Sequence, residues 1–147
     1  GSAGLRALES AQLLYFSLIS LSILSPADRE RFVDLAQRCS ARGGRVAFDS
    51  NFRTQAWPDR SVPRELIEQL APSVHYALPT VEDEAQIFAA ASAEQCAERW
   101  LRMGAREVAV KCGMRGAWVQ ARDGDGCWVA PASAITNPVD TTAAGDS

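Results

Sequence analysis

Compact apolar segments alternate with segments of helical periodicity along most of the chain, and this alternation limits the possible folds more than any other feature. Leu13–Ser17 and Arg45–Asp49 are short apolar runs typical of buried strands. Between them, Ser25 and Pro26 form a helix start, and apolar residues then recur at helical spacing. Strands separated by helices need crossover connections. The sequence therefore predicts an α/β fold with a mainly parallel sheet flanked by helices.

The same alternation continues through the rest of the chain. Further helices are predicted over Pro63–Leu70, Val81–Ala90 and Ser92–Met103. Further strands are predicted over Val74–Leu78 and Glu107–Cys112, followed by a hairpin that turns at Asp123-Gly124-Asp125-Gly126. Such sheets bind ligands at the carboxyl ends of their strands. The polar residues just after each strand are therefore the candidate site: Ser17, Asp49 to Arg53, Thr80 to Glu84, and Lys111 to Gly113.

Composition excludes several classes of protein. The 147 residues carry a net charge of −3 with both signs interspersed, which argues against a nucleic-acid partner. The longest apolar stretch, Leu13–Leu24, is short and broken by serines, which argues against a membrane span. The cysteines form no C-x-x-C pair and the only histidine is His75, so we expect buried free thiols in a reducing cytoplasm. The composition leaves open whether the chain assembles into a homo-oligomer.

The end of the chain, DTTAAGDS, carries the strongest chemical signal. The small residues Ala143, Ala144 and Gly145 let backbone amides approach an anion closely, and a helix start there would favour negative charge. Asp146 in that first turn would stay ionised and could accept a proton from a substrate hydroxyl. A simple helix cap fits the same residues, so the residues alone leave both interpretations open.

A second cluster follows the strand Arg45–Asp49. The segment FDSNFRTQAW places Asp49, Asn51 and Arg53 at alternate positions, so an extended chain would present them on one face. Arg53 could hold a carboxylate with two parallel hydrogen bonds. A solvated surface loop fits these residues equally well.

Both segments resemble signatures of the ribokinase-type (PfkB) sugar kinases. DTTAAGDS resembles the family signature D-T-T-[GA]-A-G-D, which implies that Asp146 is the catalytic base and that Ala143, Ala144 and Gly145 form the anion hole. DSNFRTQAW resembles the D-x-N-x-R-x-x-L-W stretch of the ketodeoxygluconate kinase branch. That resemblance implies that Arg53 contacts the carboxylate of an acidic sugar.

The remaining substrate residues come from the same resemblance. Asn51 and Asp49 are implied beside Arg53 in the sugar site. YFSLIS resembles the family's Y-F-S-G-I-[ST], whose loop borders the sugar, and this adds Ser17 and Ile19. Leu18 stands at the usual glycine position, where it is expected to add bulk near the substrate.

Two further matches concern the nucleotide and the metal. VKCGMRG resembles the family's V-K-x-G-x-x-G, which implies that Lys111, Gly113 and Gly116 lie near the nucleotide phosphates. LPTVEDE resembles the P-N-x-x-E region, which implies Thr80 on the nucleotide side and Asp83 and Glu84 near magnesium, held through water. The residues alone also fit a capped helix start.

The resemblance covers the middle of the family's sequence and implies that residues 1–147 are the central part of a single ribokinase-like, Rossmann-like domain. It implies transfer of phosphate from ATP, with Mg²⁺, to 2-keto-3-deoxy-D-gluconate, giving the 6-phosphate, and no turnover by this segment alone. Another PfkB-type sugar kinase (a fructokinase or ribokinase) and a non-catalytic ligand-binding remnant stay open. The chain lacks both G-x-x-x-x-G-K-[ST] and a G-x-G-x-x-G after its first strand, which disfavours a P-loop kinase and a dinucleotide oxidoreductase.

Overall fold

In the part of the chain that the structure describes, six strands form one sheet at the centre of the fold, in the order in which they occur along the chain. The structure is a computed structural model that describes residues 7–8 and 10–131. The strands are β1 (Leu13–Ser17), β2 (Arg45–Asp49), β3 (Tyr76–Leu78), β4 (Glu107–Lys111), β5 (Ala117–Ala121) and β6 (Cys127–Val129). Strands β1 to β4 pair in parallel, and β5 and β6 continue the sheet antiparallel. The predicted α/β class, with a mainly parallel sheet and a terminal hairpin, is confirmed.

Helices connect the parallel strands. They are α1 (Leu18–Ser22), α2 (Pro26–Ala41), α3 (Ser61–Leu70), α4 (Val81–Phe88) and α5 (Ala93–Met103). Short 3-10 turns occur at Thr54–Ala56, Ala71–Ser73 and Gly113–Arg115. The hydroxyls of Ser25, Thr80 and Ser92 each accept a hydrogen bond from the backbone N–H three residues later. These N-caps were predicted, because short hydroxyl side chains satisfy the free N–H groups of a first turn.

The helices pack on one face of the sheet. Consecutive strands from β1 to β4 are neighbours, so right-handed crossovers all place their helices on the same side. The ring of Phe16 lies 4.8 Å from that of Phe32 in α2, and the ring of Phe48 lies 5.2 Å from that of Trp100 in α5. Trp100 is completely buried. These contacts place the hydrophobic core between the sheet and its helices.

The opposite face of the sheet is more open. Its residues alternate along each strand with the core residues. Leu13 and Tyr15 on β1 are 57% and 58% exposed. Tyr76 and Leu78 on β3 are half-buried. The described residues thus leave apolar surface uncovered on the helix-free face.

Several boundaries differ from the sequence prediction. Strand β3 begins at Tyr76 rather than Val74, because the N–H of Val74 closes the preceding 3-10 turn onto Ala71. Helix α4 ends at Phe88 rather than Ala90, since Ala89 adopts a left-handed conformation with φ 57°. Cys127 is exposed, so the expectation that all thiols are buried was wrong for this residue. The other boundaries agree within two residues.

Across residues 7–8 and 10–131, no helix combines the length and the apolar character that a bilayer crossing requires.

His75 lies just before β3 and is hydrogen-bonded to Val46 of β2. Its Nδ1 accepts a hydrogen bond from the N–H of Val46 at 3.2 Å, and its own N–H donates to the carbonyl of Val46 at 2.8 Å. Burial lowers the pKa of His75 from its ordinary value of 6.5, and the positive charges of Arg106 and Arg45 lower it further. The folded protein therefore binds this proton less readily than the unfolded chain does.

We expect the complete protein to lose stability as the pH falls below 6.5, because protonation of the unfolded chain at His75 is then favoured over the neutral folded form. The temperature at the midpoint of thermal unfolding should decrease when the pH is lowered from about 7 to about 5, the range in which histidine titrates. His75→Asn retains an acceptor without a titrating ring and should flatten this profile. Equal slopes for both proteins in thermal melts would contradict the prediction.

Candidate active site at the carboxyl ends of the strands

A charged network on the helix-free face joins β1, β2 and β4. The ammonium Nζ of Lys111 lies 2.9 Å from Oδ1 of Asp49, and the hydroxyl of Tyr15 donates to Oδ2 of Asp49 at 3.2 Å. Asp49 is only 5% exposed, and each of its two carboxylate oxygens has a partner within the protein. The network connects Asp49, predicted on the sugar side, with Lys111, predicted on the nucleotide side.

A second network joins the loop that follows β2 to the start of α4. Oδ2 of Asp83 accepts hydrogen bonds from Oγ of Ser50 at 2.6 Å and from the N–H of Phe52 at 3.1 Å. Oγ of Ser50 in turn accepts from the N–H of Thr80 at 3.1 Å, and the N–H of Asp83 donates to Oγ1 of Thr80 at 3.1 Å. The loop after β2 is thereby fastened to the first turn of α4.

The loop presents Asn51 and Arg53 at this edge of the sheet. Asn51 has a φ of 31°, which is unusual for a residue other than glycine. Arg53 is exposed, and its Nη1 donates only a long 3.3 Å hydrogen bond to the carbonyl of Phe52. Among the described residues no carboxylate pairs with Arg53. Its guanidinium is therefore available to an anionic ligand.

The far end of the loop is held by an aromatic contact. The guanidinium of Arg29 lies 4.6 Å from the ring centroid of Trp57, which is 3% exposed. Arg29 also donates to the carbonyls of Leu21 and Ser22, at the end of α1. Trp57 is thus a packing residue, and Arg29 connects its loop to the segment after β1.

The segment after β1 is a short helix, which the sequence did not predict. Ser17 is its N-cap, with Oγ accepting from the N–H of Ser20 at 3.4 Å, and Ile19 is 37% exposed. Leu18 is completely buried, and its N–H donates to the carbonyl of Ser50 at 3.3 Å. The expectation that Leu18 adds bulk near the substrate was wrong, because its side chain is in the core.

The predicted nucleotide residues adjoin one another at the ends of β3 and β4. Thr80 and Lys111 form an isolated parallel bridge. Gly113 has a φ of 55°, and a Cβ built there would meet no atom of the described residues within 4 Å. A Cβ on Gly116 would lie 1.9 Å from the carbonyl oxygen of Val129, so this glycine is needed for strand packing whether or not it meets a nucleotide.

The two acidic residues of the predicted magnesium position point in different directions. The completely buried Glu84 accepts from Nε1 of Trp100 at 3.0 Å and forms an ion pair with Arg99. Its carboxylate therefore does not fit a role near magnesium at the strand ends. Asp83 already accepts two hydrogen bonds on one oxygen, and no group of three or more potential ligand side chains occurs among the residues described. These residues do not form a protein cage for a metal.

The predicted catalytic residues Asp146, Gly145, Ala144 and Ala143 lie outside the described residues. Among the described residues, the structure brings together Asp49, Lys111 and Thr80. Arg53 is exposed in the loop that follows β2. Ser50 falls within the predicted range Asp49 to Arg53, whereas Tyr15 contributes to the first network but was not singled out from the sequence. The position of Tyr15, two residues before the end of a strand and on the same face as Asp49, is the signal that could have identified it.

Known families and proteins resemble this chain over most of its length. Residues 3–147 match the family described as pfkB family carbohydrate kinase. The chain is 36% identical over 136 residues to a 2-dehydro-3-deoxygluconokinase of Escherichia coli (strain K12), covering 91% of this chain and 44% of that protein. It is 34% identical over 140 residues to a 2-dehydro-3-deoxygluconokinase of Haemophilus influenzae, covering 95% and 45%.

A solved structure shows the same fold. The aminoimidazole riboside kinase of Salmonella enterica, in complex with aminoimidazole riboside and an ATP analog, superposes with a TM-score of 0.75 at 25% identity, covering 91% of this chain and 43% of that one. This chain thus spans less than half the length of each relative. The family match over nearly every residue and the shared ribokinase-like fold lead to one conclusion: the chain belongs to the pfkB family of carbohydrate kinases.

Proposed function

We propose that the complete protein is an ATP-dependent kinase that phosphorylates the 6-hydroxyl of 2-keto-3-deoxy-D-gluconate. The observation that carries this proposal is Arg53, an exposed guanidinium at the ligand-binding edge of the sheet without a carboxylate partner among the described residues. A planar guanidinium binds a carboxylate through two parallel hydrogen bonds. A sugar acid supplies that carboxylate, whereas ribose and fructose do not. The relatives named 2-dehydro-3-deoxygluconokinase support the same substrate.

The proposed chemistry divides between the two sides of the site. Asp146 accepts the proton of the sugar hydroxyl, the hydroxyl oxygen forms a bond to the γ-phosphorus of ATP, and ADP leaves. The backbone N–H groups of Ala143, Ala144 and Gly145 stabilise the charge on the transferring phosphoryl group. Phosphoryl transfer depends mainly on positioning and on charge neutralisation, and these residues offer both.

Nucleotide contacts are proposed for Lys111, Thr80, Gly113 and Gly116. Lys111 is paired with Asp49, so binding of a phosphate would require its ammonium to share or exchange that partner. Mg²⁺ would enter with the ATP phosphates and supply charge neutralisation, with Asp83 contacting it only through water. Tyr15 would retain its hydrogen bond to Asp49 during such an exchange.

Another sugar kinase of the same family is the second candidate. The structural similarity to an aminoimidazole riboside kinase favours it, since that protein is complexed with a neutral riboside. A non-catalytic ligand-binding remnant stays a third candidate, although Leu18, whose side chain is buried in the core, no longer favours it. A panel of sugar acids and neutral sugars with ATP and Mg²⁺ separates the first two candidates.

Arg53→Ala in the complete protein should raise KM for 2-keto-3-deoxy-D-gluconate by about 10- to 100-fold, because hydrogen bonds to a charged group contribute about 1.5–3 kcal/mol. Arg53→Lys keeps the charge but not the two parallel hydrogen bonds, so an intermediate effect is expected. The control is Arg31→Ala, which removes an exposed arginine of α2 that pairs with Asp28. Steady-state kinetics that show an unchanged KM for Arg53→Ala would refute the sugar-acid assignment.

A further inference from the structure

We propose that Asp83 is a positioning residue for Arg53, acting through the backbone of residues 50–53, and is not primarily a magnesium-linked group. This inference rests on the proposed function, since it assigns to Asp83 the task of aiming the guanidinium that binds the sugar carboxylate. It concerns a helix residue whose side chain contacts the loop rather than the ligand. Four hydrogen bonds and one unusual backbone conformation carry it.

The first observation is where the Asp83 carboxylate is attached. A single oxygen, Oδ2, receives the hydroxyl of Ser50 at 2.6 Å and the N–H of Phe52 at 3.1 Å. These two donors flank Asn51 on either side. Asp83 therefore holds both neighbours of one residue, which fixes the path of the chain between them.

The second observation is burial. Ser50 is completely buried, Phe52 is 4% exposed and Asp83 is 9% exposed. Hydrogen bonds to an ionised carboxylate are strong, and they are costly to break where water cannot replace them. The attachment is thus a rigid one, in contrast with the exposed side chain of Arg53 that follows it.

The third observation is the conformation that this attachment maintains. Asn51 has a φ of 31°, a positive value that is uncommon outside glycine and that asparagine tolerates better than most residues. Such conformations persist where surrounding contacts determine them. Without Asp83, residue 51 could return to an extended conformation, and Arg53, two residues later, would point elsewhere.

The fourth observation closes the network. The hydroxyl of Ser50 also accepts from the N–H of Thr80, and Thr80 caps α4 by accepting from the N–H of Asp83. The first turn of α4 and residues 50–53 are therefore joined by hydrogen bonds into one network. A residue at the proposed nucleotide side thereby sets the geometry on the sugar side.

The test measures binding of 2-keto-3-deoxy-D-gluconate to the complete protein by calorimetry without nucleotide or Mg²⁺, where a metal-linked role has no effect. Asp83→Ala and Ser50→Ala should each weaken binding by about tenfold, equivalent to about 1.4 kcal/mol. In an Arg53→Ala background, neither change should weaken binding further. If binding without nucleotide is too weak to measure, KM for the sugar acid at saturating MgATP provides the same comparison.

A matched control exists in the same chain. Asp59 also accepts from one backbone N–H and one serine hydroxyl, both of Ser61, but it lies outside this loop and is exposed. Asp59→Ala should leave binding unchanged. Thermal melts of each variant show whether it folds, and Ser50→Ala decides the outcome if Asp83→Ala does not.

The possible failures can be distinguished. If Arg53→Ala weakens binding while Asp83→Ala and Ser50→Ala bind as the unchanged protein does, the positioning role is refuted and the sugar-acid assignment stands. If Arg53→Ala itself has no effect, the sugar-acid assignment is refuted. If Asp83→Ala lowers kcat and raises KM for ATP but leaves binding of the sugar acid unchanged, the residue has a metal-linked role and the positioning role is refuted.

Discussion

Asp146→Asn in the complete protein is expected to lower kcat for phosphorylation of the sugar acid by about a thousandfold, within the range that general base catalysis contributes. Asparagine has nearly the same shape as aspartate but cannot accept the hydroxyl proton. KM for the sugar acid should change little, since the carboxylate contact is assigned to Arg53. A coupled assay of ADP release measures both constants.

Asp125→Asn provides the control for this experiment. It makes the same chemical change at an exposed position in the turn between β5 and β6. Its kcat should equal that of the unchanged protein. A fully active Asp146→Asn variant would remove the proposed mechanism, although the family assignment would be unaffected because it rests on the sequence match over residues 3–147.

The second large effect concerns stability and the buried ion pair between α4 and α5. Glu84 is completely buried, pairs with Arg99 and accepts from the indole of Trp100. The guanidinium of Arg99 also lies 3.8 Å from the ring centroid of Phe88. Burial lowers the pKa of Arg99 to about 10, so this group still carries its charge at neutral pH.

Glu84→Ala should lower the free energy of unfolding by about 3–5 kcal/mol, because it leaves the charge of Arg99 buried without its partner. The matched control is Glu98→Ala, which breaks the exposed pair with Arg102 within α5 and should cost about 0.3–0.5 kcal/mol. Urea denaturation of the complete protein measures both.

A double variant separates the charge from the packing. Glu84→Leu combined with Arg99→Met removes both charges and should recover much of the loss, since apolar residues often replace a buried ion pair without cost. An effect of Glu84→Ala no larger than that of Glu98→Ala would contradict the prediction.

The regular elements of the fold were predictable because their signals are local. Strands β1 and β2 and the N-caps Ser25, Thr80 and Ser92 follow from apolar runs and hydroxyl side chains that a reader finds within a few residues. The same holds for the hairpin, where Asp and Gly residues separate two short strands. These patterns depend little on the rest of the chain.

The contacts that assemble the site were not predictable in this way. The pairs Asp49 with Lys111 and Ser50 with Asp83 join residues that are 62 and 33 positions apart, and no local pattern indicates which polar groups will meet. Leu18 shows the same limit, since its position in a family motif suggested a place near the substrate whereas packing turns its side chain into the core. Sequence patterns locate the strand ends, and the tertiary structure decides which side chains there are already engaged.

The exposed leucine and tyrosine of β1 bear on how this part of the protein can be handled in the laboratory. A recombinant fragment of residues 10–131 would expose apolar residues on one face of its sheet. Exposed apolar patches of this kind promote aggregation. Polar replacements at Leu13 and at Val129, which is 49% exposed, offer a rational route to a fragment that remains monomeric for spectroscopy. Tyr15 should be kept in such a design, because its hydroxyl also anchors the Asp49 carboxylate.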